Sequence, residues 1–519
     1  MGRGPPPSAH GTAPSPLRET RLARDAGRHA FLHRWRHLRA RRPRDAQDPL
    51  MADDRRPPLF GPGEPVAVLG LGVSGTAAAR LLHALGADVY ASDAFEGPRQ
   101  REAVAALAAE GIDAEVGRHD VERILNADLV VTSPGISPTA EIRRTVAEAG
   151  VPTVAEIEVA YRHLRSRVIG ITGTNGKTTT TALCGHLLQQ AGVDALTAGN
   201  IGRPLSEIPL MKRQPDWLVV ELSSFQLADL QAFRPEIGVL VNLAADHLDW
   251  YPSLERYYED KARLFANADE DSRWVLNGDD DAVLAMAEPA AGRRYLASIE
   301  PRGEPGAWRD EAGNLVQRLE AGGAPEPWIA AAELQLVGVH NVMNALLAGL
   351  GAALAGCEAA AIGAGLASFQ GLPHRLQRVG EFDGVLWIND SKGTNVSATR
   401  VALNAFDRPL VALLGGRHKG ESYRSLAPAL SENARALIAF GEAAPQIVRE
   451  LGDVAPVEVA RGFPQLVGLA REAAHPGDVV LFSPACSSYD MFPDYRKRGR
   501  TFEQCVRESY EGAASEPAT

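Results

Sequence analysis

Twice in this chain a short apolar, β-branched run passes straight into a glycine-rich turn and then into a helix with an apolar face. "VAVLGLGVSGTAAARLLHALG" starts at Val66 and "VIGITGTNGKTTTTALCGHLLQQAG" at Val168. A strand that leads into a helix returns by a crossover rather than a hairpin, so the pattern specifies parallel sheets with helices on their faces. A further strand–loop–helix unit, "GVLWINDSKGTNVSATRVAL" from Gly384, followed by "RPLVALLGGRHKGESY", implies a third sheet. The 519 residues suit roughly three domains. The expected fold class is α/β in three domains: a Rossmann-like N-terminal domain, a central P-loop domain with a parallel sheet, and a Rossmann-like C-terminal domain.

Composition is that of an ordinary globular protein, 45% hydrophobic and 23% charged, and the formal net charge of -11 argues against nucleic acid as a partner. Cys184, Cys357, Cys486 and Cys505 form no C-x-x-C pair, which suits a reducing cytoplasm and neither a disulfide framework nor a zinc site. The most apolar run, Ala345 to Cys357, is too short and too rich in Ala and Gly for a membrane span and reads as a buried helix. Residues 1–50 carry eleven arginines against four acids, and Met51 then opens a stretch leading directly into the first strand. An over-long start, a transit peptide and a basic arm compete there; residues 1–60 are expected to be a disordered tail without assigned function.

In the first unit, Gly70-x-Gly72-x-x-Gly75 follows the strand and precedes the helix. Glycines let backbone approach a diphosphate, and the helix N-terminus supplies partial positive charge. Asp93 ends the next strand, where a ribose-binding acid sits in a Rossmann unit. Any nucleotide diphosphate fits this physics, NAD included. Farther on, Ser133 to Gly135 form a Ser-Pro-Gly turn at another strand end.

The second unit departs from G-x-x-x-x-G-K-[ST] at one position, where Ile171 replaces the first glycine. Gly170 and Gly173 flank that gap, so the loop can still bend. Backbone N–H groups from Thr174 to Thr178 are placed to wrap phosphates, with Lys177 as a charge and Thr178 as a magnesium ligand. Such a loop needs an acid at a neighbouring strand end. "DWLVVELSSFQL" supplies Glu221, and "GVLVNLAADHLDWY" supplies Asn242, Asp246 and His247. Lys261, in the amphipathic "SLERYYEDKARLF", reads on its own as a surface lysine. In the third unit Lys392, Thr394, Lys419, Ser488 and Tyr495 are donors gathered at strand ends, a plausible site for a small dicarboxylic acid.

Eight motifs occur in one order: "GTNGKTT", "GNIG", "ELSSFQL", "DHLDWY" with the later Lys261, "GVHNVMNALLA", "LPHRLQ", "NDSKGTN" and "SPACSSYD". Together they resemble the Mur ligase family, and within it the D-glutamate-adding (MurD) type, over about residues 64 to 510. The resemblance implies an ATP-dependent amide ligase of peptidoglycan precursor synthesis. It would join D-glutamate to UDP-N-acetylmuramoyl-L-alanine through an acyl phosphate, as a cytoplasmic monomer with no membrane or nucleic-acid partner. Domains are expected at 61–156 (UDP-binding), 157–371 (ATP-binding) and 372–519 (amino-acid-binding). By the same resemblance Gly70, Gly72, Val73, Ser74, Asp93, Ser133, Gly135 and Asn200 contact the UDP substrate. Gly173, Thr174, Asn175, Gly176, Lys177, Thr178, Thr179, Asn341, Asn344, Arg375 and Asp390 bind ATP. Lys177, Glu221, His247 and Lys261 are implied as catalytic. Thr178, Glu221, His247 and Lys261 would hold two Mg2+ ions, with Lys261 carbamylated by CO2. Lys392, Thr394, Lys419, Ser488 and Tyr495 fall to the glutamate, although Tyr489 and Tyr495 stand where the family often has Leu and Phe. Another Mur ligase, or a folylpolyglutamate synthase-like ligase, shares the ATP core. An NAD-dependent oxidoreductase leaves the P-loop unexplained. A non-catalytic nucleotide-binding module has no need of Glu221, His247 and Lys261 together.

Overall fold

The computed structural model describes Met1 and residues 58–244, 246 and 250–511. The arginine-rich stretch, Met51 and His247 lie outside the described residues.

Among the described residues there are three sheets, in the order the strand–helix pattern requires. The first has five parallel strands, edge to edge Asp113–Val116, Asp88–Asp93, Pro65–Leu69, Leu129–Thr132 and Thr153–Ala155. The chain reverses direction across Pro65–Leu69, so its switch point lies between that strand and Leu129–Thr132, where the glycine loop and the Ser133 turn meet. Gly75 cannot be replaced there, because a Cβ would run into the Gly70 carbonyl oxygen.

The second sheet has nine strands. Its parallel part runs Arg293–Ser298, Arg273–Asn277, Ile237–Leu240, Arg167–Thr172, Trp217–Glu221 and Ala195–Gly199. The strand feeding the P-loop is therefore flanked by the two strands that deliver Glu221 and Asn242. Ile171 pairs with Glu221 and Thr172 with Leu240. Gly306–Arg309 continues the parallel set, and Asn314–Arg318 and Glu326–Ala330 add to it antiparallel. The sequence reading expected only parallel strands here. The turn between Gly306–Arg309 and Asn314–Arg318 closes locally, with Asp310 Oδ1 accepting the Asn314 N–H at 2.7 Å and Gly313 in the left-handed region.

The helix Val339–Leu354 is buried on nearly every side, as the apolar run predicted, and packs beside the P-loop helix Lys177–Gln190. Each fully buried Leu or Ile in this layer contributes about 1.5–3 kcal/mol, which is why the P-loop stands on a rigid base.

The third sheet runs Gln377–Phe382, Val385–Asn389, Val479–Phe482, Leu410–Gly415, Ala434–Phe440 and Val457–Ala460. All pairs are parallel except the first, a hairpin turned at Asp383-Gly384 with both residues at positive φ. That Asp-Gly pair is a strong hairpin signal, and it adds one antiparallel edge strand to the expected Rossmann-like sheet. Asn389 and Leu413 both pair with Phe482, so three strand ends open onto the same side.

Candidate functional site

The P-loop is fixed by its neighbours before any ligand is considered. Gly176 caps the helix at φ +79, and a Cβ there would meet Asn344 Oδ1 at 2.5 Å. Asn344 Oδ1 accepts from Thr180 Oγ1 (3.2 Å), and its amide donates to Asn341 Oδ1 (2.9 Å), so the two asparagines tie the helix Val339–Leu354 to the P-loop helix. Asn242, read from sequence only as a strand end, clasps the loop. Its Oδ1 accepts the Asn175 N–H at 2.8 Å and its amide donates to the Asn175 carbonyl at 3.0 Å. Its own carbonyl accepts the Thr174 N–H at 3.0 Å.

Two lysines converge on one carbonyl. Lys177 Nζ donates to the Gly173 and Thr174 carbonyls at 2.9 and 2.7 Å, and Lys261 Nζ donates to the same Gly173 carbonyl at 2.7 Å. Lys261 is not the surface residue its helix suggested; it is 1% exposed. Desolvation holds its ammonium well below the ordinary lysine range, and the charge of Lys177 pushes the same way while Asp246 and Glu221 oppose. Desolvation lowers Lys177 as well, against Glu221 and Asp246 and with Arg375.

Glu221 is buried at its strand end. Oε1 accepts from Asn200 Nδ2 at 2.7 Å, and the Asn200 N–H donates to the Glu221 carbonyl at 3.0 Å. Oε2 is buried and has no hydrogen-bond donor among the described residues. A buried, unsatisfied carboxylate oxygen is costly unless a cation or donor completes it. With the Thr178 hydroxyl it offers oxygen donors that suit a hard divalent cation such as magnesium. Lys261 fits such a set only in a form that carries oxygen, since an ammonium repels the ion.

At the first sheet's switch point, Asp93 is committed to the glycine loop. Its Oδ2 accepts the Leu71 N–H at 2.8 Å and its Oδ1 the Phe95 N–H at 2.9 Å. The helix Val73–Ala84 begins at Gly72 without a side-chain cap, leaving the N–H groups at Val73 and Ser74 directed at the mouth beside Ser133 and Gly135.

The third domain reaches the P-loop through "LPHRLQ". His374 and Leu376 hold positive φ, +64 and +43, a strained arrangement that turns the chain sharply around Arg375. Arg375 Nη2 lies 3.5 Å from Thr178 Oγ1. Asp390 accepts from Ser483 Oγ at 2.7 Å and from the Leu376 N–H at 3.2 Å, and burial raises its carboxyl to about 7. Lys392 Nζ sits 4.3 Å above the Tyr495 ring, and the Thr394 N–H donates to the Lys392 carbonyl. Lys419 stands on an exposed loop, and Ser488 is buried at the opposite strand end.

Arg498 was missed from sequence. Wholly buried, it donates to Ser391 Oγ and to the carbonyls of Ser391, Cys486 and Ser487 at 2.9–3.1 Å, joining two of the strand-end loops. Its signal was there: it shares the buried face of its helix with Phe502 and Val506, an arginine at an apolar position.

Family models match across this arrangement: the MurD-like N-terminal domain on residues 64–155, the Mur ligase middle domain on 171–352 and the Mur ligase glutamate ligase domain on 374–486. The chain belongs to the Mur ligase family. It is 40% identical to the UDP-N-acetylmuramoylalanine–D-glutamate ligase of Acidobacterium capsulatum, over 87% of this chain and 98% of that protein. It is 41% identical to the enzyme of the same name from Salinibacter ruber, over 85% and 96%. The fold is that of UDP-N-acetylmuramate-alanine ligase MurC from Thermotoga maritima (TM-score 0.52, 19% identity, 86% of this chain and 99% of that one). MurF from Acinetobacter baumannii is also similar (TM-score 0.51, 18% identity, 75% and 87%). Among the described residues no helix is long and apolar enough to cross a membrane.

Proposed function

We propose that this protein is an ATP-dependent ligase that forms an amide between the carboxylate of UDP-N-acetylmuramoyl-L-alanine and the amine of D-glutamate, in the cytoplasmic synthesis of peptidoglycan precursors. The observation that carries the reading is the convergence at the P-loop. Lys177 and Lys261 share the Gly173 carbonyl beside Glu221, whose Oε2 has no donor among the described residues. Lys177, with the cations that Glu221 would hold, brings positive charge to the place where two anions must meet. The named relatives supply the substrates of the reading.

In the first step a substrate carboxylate oxygen attacks the γ-phosphorus, the bond to the β-phosphate oxygen breaks, and ADP leaves an acyl phosphate. Neutralising both anions is the main demand. Lys177 answers it from the loop, whose N–H groups at Gly176 to Thr179 are left for the phosphates because Asn242 holds those of Thr174 and Asn175, and Arg375 answers it from the third domain. Asn341, Asn344 and Asp390 complete the nucleotide's surroundings. In the second step the glutamate amine attacks the acyl carbon, phosphate departs, and the amine loses a proton. This step asks for positioning, by Lys392, Thr394, Lys419, Ser488 and Tyr495 on the amino acid. Gly70, Gly72, Val73, Ser74, Ser133, Gly135 and Asn200 would hold the UDP substrate, with Asp93 fixing the glycine loop against it.

Two magnesium ions belong to this reading, held by Thr178, Glu221, His247 and a carbamate on Lys261. When bound, they supply Lewis-acid charge to the phosphoryl oxygens. The lowered Lys261 favours the neutral amine, whose lone pair can bond CO2 with loss of one proton. The domain limits 61–156, 157–371 and 372–519 and a monomeric state are part of the same proposal. The test is product mass. With ATP, magnesium and UDP-N-acetylmuramoyl-L-alanine, D-glutamate should be added and ADP and phosphate released; no adduct with any amino acid would end the proposal.

A further inference from the structure

Beneath the exposed loop that carries Lys419 lies a buried polar chain that the mechanism above does not use. Tyr423, 1% exposed, places its hydroxyl 3.0 Å from His418 Nδ1 and 2.9 Å from Cys486 Sγ. His418 precedes Lys419, and Cys486 lies two residues before Ser488, so the phenol links the two strand-end loops. They are zipped above it as well. The Arg417 N–H donates to the Ser487 carbonyl at 2.9 Å, and the Ser487 N–H and Oγ donate to the Arg417 carbonyl at 3.1 and 3.2 Å. Tyr423 itself is a fixed post, because its own N–H and the Ser422 hydroxyl both donate to Glu450 Oε2, at 2.7 and 2.9 Å.

We propose that Tyr423 is a positioning residue for the incoming amino acid, setting the spacing of Lys419 and Ser488 through its hydrogen bonds to His418 and Cys486. The proposal rests on the ligase reading. A phenylalanine at this position would fill the same volume and keep the ring against His418, whose centroid lies 5.4 Å away. What it would lose is the link between the loops. The residue touches neither nucleotide nor UDP-substrate positions, so its effect should be confined to one substrate.

The experiment is steady-state kinetics of the full chain with each substrate varied in turn, joined to hydrogen–deuterium exchange of the segments 415–420 and 484–488. Y423F should raise the KM for the amino acid about tenfold, on the order of one lost hydrogen bond in a rigid site. The KM for ATP and for the UDP substrate should stay within about twofold, and exchange in both loops should rise. C486S, which retains a hydroxyl partner for the phenol, should behave like the unmutated chain. C486A should behave like Y423F, and the double variant should be no worse than either. An active Y423F protein with unchanged amino-acid KM and unchanged exchange overturns the positioning role and leaves the ligase reading intact. No turnover by the unmutated chain overturns the ligase reading and this role with it.

Discussion

At the P-loop end of the site, Lys177 and the buried Lys261 meet on one carbonyl beside a buried carboxylate; at the C-terminal end, Lys392 lies over a tyrosine ring and Lys419 stands on an exposed loop. Charges kept from water act strongly on reacting atoms but cost desolvation, whereas exposed charges are screened and act mainly in recognition. The first end should therefore govern turnover and the second the affinity for one substrate.

The largest effect belongs to the buried lysine. Lys261→Ala should lower kcat by about four orders of magnitude, ~5 kcal/mol of lost stabilisation, and high CO2 should not restore it. A fully active variant, read by phosphate release, would remove Lys261 from the chemistry.

Next comes a buried acid at the C-terminal end. Burial raises Asp390 to about 7, above its unfolded value of 3.8. Between those values the folded state holds a proton that the unfolded state has released. Stability therefore falls as pH rises through this window, and the full cost is present above about 7. The size is on the order of 4 kcal/mol at one 1.36 kcal/mol step per unit. Asp390→Asn should lack this fall between pH 5 and 7.5, measured by urea midpoints; an unchanged slope would place the proton elsewhere.

Asn242→Ala should raise the KM for ATP about tenfold, since it loses both amide bonds to Asn175 while leaving the amino-acid site untouched. An equal rise in the amino-acid KM would show general loosening instead. The smallest effect is expected from the exposed lysine. Lys419→Ala should raise the amino-acid KM about fivefold at low salt, and the difference should shrink as salt screens it. A large fall in kcat would erase the distinction between the two ends.

The parallel sheets, both glycine loops and Glu221 at its strand end were legible because strand–loop–helix patterning and the nucleotide chemistry share the same residues. Lys261 reads as a surface lysine although its helix-face neighbours Tyr257, Tyr258, Leu264 and Phe265 are apolar or aromatic; only resemblance singled it out, and its burial comes from the P-loop, whose Gly173 carbonyl it meets over the Tyr257 ring. Asn242 and Tyr423 escaped for a related reason. Their partners lie 67 and 63 residues away, at Asn175 and Cys486, and no local period records such contacts. The antiparallel strands after Ser298 were signalled by turn chemistry alone, and their strands are short.

The most direct test labels the carboxylate of UDP-N-acetylmuramoyl-L-alanine with 18O and follows it through turnover with ATP and D-glutamate. The inorganic phosphate released should carry one labelled oxygen, because that oxygen attacks the γ-phosphorus and leaves with it. Amide formation with unlabelled phosphate would contradict the acyl phosphate and, with it, the role given to the paired lysines at the P-loop.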